Sequence, residues 1–147
     1  MTKKHKRPTA AREPLQGKRA VANEHLAGEY RLRSPVWKFR RHAKSGQFAW
    51  LSLRESDLPG VFNALSGYEQ MRWAEIEARP HCHAMPVSEC HEEVGRHLAT
   101  QGYDFDELFQ LSTGNKGRLF GVRLDHVFEI IFWDCDHKVY ETKKRNT

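Results

Sequence analysis

RLFGVRLDHVFEIIFW, residues 118–133, consists of two apolar runs hinged on a polar dipeptide, and its reading decides the fold. Branched and aromatic residues fill Arg118–Leu124 and Val127–Trp133, with only Asp125-His126 between them. This predicts an antiparallel hairpin closed by a two-residue turn. The turn sets Leu124 opposite Val127, Arg123 opposite Phe128, Val122 opposite Glu129 and Gly121 opposite Ile130. Continued without interruption, the register sets Phe120 opposite Ile131, Leu119 opposite Phe132 and Arg118 opposite Trp133. Both faces of such a hairpin are largely apolar, so it belongs in the middle of a sheet covered on both sides.

Outward from the hairpin, Glu107–Ser112 reads as a preceding strand, joined through the Gly- and Asn-containing turn TGNKG. Ser88 is a natural N-cap for a helix over Glu89–Thr100, with Glu92 and Glu93 in its first turns and Gly102 beyond its end. The stretch RPHCHAMPV before it reads as a loop. Leu58, Val61, Phe62, Leu65, Tyr68, Met71 (or Arg72) and Ile76 recur at near-helical spacing, giving one helix or two broken at Ser66-Gly67. VWKFRRHA and FAWLSL, separated by KSGQ, predict an N-terminal hairpin. The expected class is α+β, with about five mostly antiparallel strands. These form an N-terminal hairpin and a C-terminal meander, with two helices between them.

The net charge of +5 over 147 residues is unevenly placed. Residues 1–33 carry nine Lys/Arg against three Asp/Glu, and KKR at 143–145 adds three more cations. Residues 34–142 hold 12 basic and 16 acidic residues. The chain therefore reads as a single, mildly acidic domain over 34–142 between basic tails at 1–33 and 143–147. The longer tail is expected to be largely disordered apart from a short helix over Ala20–Ala27. An acidic domain argues against a broad polyanion-binding face. The tails either add affinity for RNA, DNA or an acidic partner or are solvated ends. No apolar run is long enough to cross a bilayer, and no apolar stretch follows the basic N-terminus as in a signal peptide. Three cysteines, an odd number at low density, point to a reducing cytoplasm.

HCHAMPVSECH, residues 81–91, concentrates three histidines and two cysteines. For zinc, His81 and His83 make one candidate pair, with Cys90 and His91 or Cys135 as the other, and Cys82 between. No CxxC is present, however, and His91 and His97 stand six apart, on different faces of a helix, so no metal is assigned. The cysteines fit small buried side chains. For acid–base chemistry, His81, His83 and His137 supply imidazoles and Tyr140 a phenol. Lys116, Arg118 and Arg123, with Lys38 and Arg40 on the WKFRRH strand, supply cations for a phosphate. This is the side-chain set of a metal-independent ribonuclease, and it calls for no cofactor. Plainer roles stand beside these. Asp134 caps its own turn or holds His137, Arg118 stacks on Trp133, and Tyr140 packs.

Arg118, Phe120, Gly121, Phe128, Trp133, Asp134, His137, Val139 and Tyr140 resemble the ending of a group of small bacterial and phage proteins. These close in an Arg-aromatic-Gly strand and a Trp-Asp-x-x-His-x-Val-Tyr segment. Trp73, Ile76, His81 and His83 echo their Trp-x-x-Ile helix end and His-rich loop, so the resemblance spans roughly residues 35–142. Cys135 stands where such sequences often have proline. In layout the chain is also similar to the RelE-like toxin fold, whose members cut RNA. The resemblance implies a small cytoplasmic toxin-like ribonuclease or RNA-binding relative, acting on RNA or the ribosome and held by a cognate antitoxin or host protein. The alternative is a non-catalytic phage or mobile-element protein that binds a host protein or itself as a homodimer, with no membrane partner.

Overall fold

The computed structural model describes residues 29–141. After a 3-10 turn at Glu29–Leu32 come β1 (Val36–Lys38), α1 (Leu58–Glu69), α2 (Trp73–Glu77), β2 (His83–Pro86), α3 (Glu92–Thr100), β3 (Glu107–Ser112), β4 (Arg118–Leu124) and β5 (Val127–Asp134). The strands form one sheet in the order β1-β5-β4-β3-β2. Every neighbouring pair is antiparallel except β1 with β5, so the fold is α+β with a mixed, mostly antiparallel five-stranded sheet.

The hairpin is central, and its four pairs nearest the turn have the expected register, from Leu124↔Val127 to Gly121↔Ile130. Beyond Gly121 the register shifts by one, giving Phe120↔Phe132, Leu119↔Trp133 and Arg118↔Asp134. The extra residue, Ile131, makes a β-bulge. Gly121 marks the place, because a Cβ there would overlap the Glu129 carbonyl oxygen and stand 2.9 Å from Phe128 Cε1. The bulge turns Ile131 and Phe132 toward the same core and Trp133 toward the other.

Two cores sandwich the sheet, as its two-sided apolar pattern requires. On one face Val61 and Leu65 of α1 and Trp73 and Ile76 of α2 pack with Phe109, Leu119 and Phe128. On the other, Val94 and Leu98 of α3, together with Ala43 and Phe48, pack with Leu108, Phe120 and Phe132. Full burial of each such Val, Leu, Ile or Phe side chain contributes about 1.5–3 kcal/mol.

Three local expectations are corrected. FAWLSL does not pair with β1 as a hairpin arm; Ala49 bridges Phe132 and Trp50–Ser52 is a 3-10 turn. The physical reason lies in β5, whose edge extends well past the three-residue β1. There the Ala43 N–H donates to Ile131 O (2.7 Å) and the Trp133 N–H donates to Phe48 O (3.0 Å), so this segment satisfies the strand's remaining main chain. The fifth strand is instead β2, within the stretch read as a loop; its edge position tolerates Pro86. Ser88 is not an N-cap, because it sits in a 3-10 turn at Val87–Glu89. His91 caps α3, with Nδ1 accepting the Glu93 N–H at 3.1 Å and its own N–H donating to Val139 O at 2.7 Å. This second bond fixes the helix start to the end of the domain.

Residues 29–33, counted with the basic tail in sequence, dock on α2. The Tyr30 hydroxyl donates to Glu77 Oε1 (2.6 Å) and the Trp73 N–H donates to Arg33 O (2.9 Å). The helix expected over Ala20–Ala27 lies outside the described residues. Among those described, no helix is long and apolar enough to cross a membrane.

Candidate functional site

The sequence nominated histidines, a tyrosine and five cations, and the sheet distributes them. His83 and Tyr140 meet edge-on, with ring centroids 5.8 Å apart. His81 is exposed, and its carbonyl accepts from Gln110 Nε2 at 3.0 Å. His137 occupies the turn after β5 with a left-handed φ of 57°. Asp134, which is buried, holds that turn. Its Oδ2 accepts the Val139 N–H (2.7 Å) and its Oδ1 the Asp136 N–H (3.2 Å). The Trp-Asp-x-x-His-x-Val-Tyr segment thus contains a carboxylate-capped turn that buries Val139 and sets Tyr140 against His83.

The cations are mostly engaged. Arg118 is buried, and its Nη1 donates to the carbonyls of Gly114 (3.0 Å), Asn115 (2.9 Å) and Gly117 (2.8 Å), clamping the β3–β4 turn. Arg123 lies over the Tyr30 ring, 3.6 Å from its centroid, and donates to Asp125 O (2.7 Å). Lys116 pairs with Asp136 at 3.6 Å. Arg40 is bound to Glu129 (2.5 Å), and Lys38 is exposed on β1. Because β1 and β2 are opposite edges of the sheet, Lys38 and His83 stand about four strand spacings apart, roughly 19 Å. The structure brings His83 to Tyr140; it does not gather the nominated set around one phosphate-sized space. Cys82 is buried in the α1–α2 core beside the Tyr68 hydroxyl, away from its neighbour His83. Among the described residues no three His, Cys, Asp or Glu side chains are placed to hold a metal ion.

A different place is built as a site. The β3–β4 ladder runs only from Ser112↔Arg118 to Phe109↔Gly121, whereas β4 continues to Leu124 against β5. At its start β3 follows β2 instead, with Pro86↔Glu107 in register and the Val87 N–H donating to Asp106 O at 2.8 Å. The sheet therefore splits, leaving a notch of about 530 Å³ beside Val122–Leu124. Its apolar lining includes Leu108, Val122, Leu124 and Phe105, and Leu124 is 73% exposed.

A charge cluster centred on a buried carboxylate closes one side. Glu129 is only 5% exposed, and its two carboxylate oxygens accept from Arg40 Nε and Arg41 Nη1. Burial alone would raise this carboxyl, but the two guanidiniums outweigh it and hold it below its ordinary value. Arg41 in turn lies against the rings of Tyr103 and Phe105, at 5.3 and 5.5 Å. The rim carries Asp104, Asp106 and Glu107, all exposed and, among the described residues, without an ion pair. The one sequence signal for this site is Glu129, the lone charge inside the apolar run Val127–Trp133 and hence a group needing cationic partners.

The chain belongs to the family described as Uncharacterised protein UU032, whose model matches residues 59–147. That span includes the notch's strands and the His83–Tyr140 contact but not Arg40 and Arg41. No curated protein and no solved structure matches the chain.

Proposed function

We propose that this protein is a non-catalytic interaction module that takes an extended segment of a protein partner into the notch between β3 and β4. The observation that carries this reading is the early end of the β3–β4 ladder, which leaves Val122–Leu124, among the described residues, without a strand on that side. Main-chain donors and acceptors along such an edge favour a strand-like ligand, and an apolar floor gives its alternate side chains somewhere to bury. The fixed Glu129–Arg40–Arg41 cluster makes one wall rigid, which limits the ordering cost of binding.

Selection of displayed random peptides on the full-length protein tests the reading, with counter-selection on Leu124→Arg. Leu124 is mostly exposed, so the variant alters the notch without emptying the core. Peptides that survive on wild type and are lost on the variant support it. An absence of such peptides, or equal binding to both proteins, removes it.

A second reading, a metal-independent ribonuclease or an RNA-binding relative, is favoured by the contact of His83 with Tyr140. An imidazole and a phenol this close can divide the two proton roles of phosphodiester cleavage. RNA loss on expression of wild type that disappears with His83→Ala would put this reading first. Intact RNA with well-expressed wild type would leave the interaction reading alone.

A further inference from the structure

We infer that the notch selects a cationic partner: an extended protein segment in which Lys or Arg alternates with aliphatic residues. This rests on the interaction reading above and names the chemical class of its partner. Continued past its last pair, Phe109↔Gly121, the β3–β4 ladder would set Glu107 opposite Arg123. The split keeps the two apart. Glu107 stays with β2, opposite Pro86, while Arg123 pairs with Glu77 at 3.9 Å and lies on the Tyr30 ring. Glu107 is therefore exposed and, among the described residues, without an ion pair. So are Asp104 and Asp106, which line the notch from the connection just before β3.

The two faces of the gap differ in what they accept. Leu108 packs in the α3 core and Phe109 in the α1–α2 core, so by strand alternation Glu107 stands on the α1–α2 side. Val122 packs on the α3 side, and Leu124 shares its face. Beside Val122, Arg40 and Arg41 share the single carboxylate of Glu129, so a cation arriving there meets like charge. A strand-like segment presents its own side chains alternately to the two faces. Aliphatic side chains suit the α3 side, where Leu108, Val122 and Leu124 offer apolar surface. Cationic ones suit the other side, where Glu107 is unpaired among the described residues and Arg123 is engaged by Glu77. Asp104 and Asp106 add attraction for a basic segment as it approaches.

Three synthetic peptides, alternating Lys-Val, Thr-Val and Glu-Val repeats of equal length, are titrated into the full-length protein at low and high salt and followed by fluorescence anisotropy. Lys-Val should bind wild type about tenfold or more tighter than Thr-Val, with Glu-Val weakest. High salt should remove that advantage. A variant carrying Asp104→Asn, Asp106→Asn and Glu107→Gln, which neutralises only exposed groups, should remove it too and leave Thr-Val binding unchanged. Leu124→Arg should weaken both peptides. Equal binding of all three peptides, or a Lys-Val preference that survives in the neutralised variant, would overturn the inference. A wild-type dimer in sedimentation that the neutralised variant lacks would also overturn it, in favour of a second copy as occupant. If displayed peptides selected at the notch bind but Lys-Val does not, only this inference fails. If no peptide, synthetic or displayed, binds in a way that depends on Leu124, the interaction reading fails with it.

Discussion

Gly121 of β4 lies so close to Glu129 of β5 that a single methyl group on it would overlap the Glu129 carbonyl oxygen. The Glu129 carbonyl lies two residues before the bulge at Ile131, where the register of the central hairpin changes. Gly121→Ala must therefore push the two central strands apart. The expected loss is about 2–4 kcal/mol, in the range of overpacked or strained core positions. Urea unfolding measures it, and an unchanged midpoint would show that the strands do not approach this closely.

Glu129 should be a stability determinant as well as a wall of the notch. Glu129→Gln removes one charge from a cluster that Arg40 and Arg41 complete. The loss should be about 2–3 kcal/mol, below the full figure for a wholly buried pair because Arg40 is largely exposed. The folded carboxyl lies below its ordinary value of 4.5, so its contribution is complete above that pH and is lost as pH falls through the lowered value. Wild type should accordingly lose stability more steeply than Glu129→Gln in this acid range. Parallel acid profiles would contradict the account.

His97 supplies a second pH dependence, at higher pH. Its ring packs against Phe132 with centroids 5.3 Å apart, and burial lowers its pKa from the ordinary 6.5. The unfolded chain then takes up this proton first. His97's contribution is therefore intact above about pH 6.5 and declines as pH falls toward the lowered folded value. Thermal melts of wild type should show this decline, and His97→Leu should abolish it. Persistence of the slope in the variant would assign it to another group.

Arg118 is a turn clamp in this structure. Arg118→Met leaves three carbonyls of the β3–β4 turn without their common donor, at an expected cost of about 1–3 kcal/mol. Chemical denaturation reads this directly. A variant as stable as wild type would show that the guanidinium is free for another task.

The elements legible in the sequence are those in which one physical signal dominates. The two-sided apolar pattern of 118–133 gave a central hairpin, and Asp125-His126 fixed its near register. The Ile131 bulge was missed because alternation alone does not record an inserted residue, although Gly121 within an apolar strand was its mark. The N-terminal hairpin was misread because Phe48 and Ala49 are apolar for a tertiary reason, their packing and pairing at the outer edge of β5. His83–Pro86 was missed as a strand because four residues containing a proline carry little pattern. For the site, residue type nominated candidates, but engagement decided among them. Arg118 and Arg123 are drawn into the fold, while the notch depends on where a ladder stops, which no local pattern encodes.

The central claim, that the notch beside Val122–Leu124 is the docking place, is tested most directly by amide hydrogen exchange on the full-length protein. Exchange is followed with and without a peptide selected on wild type and rejected by Leu124→Arg. The account predicts slowed exchange over residues 122–124 and at Phe105, with the α1 face unchanged. Protection centred on His83 and Tyr140, with none over 122–124, would contradict it.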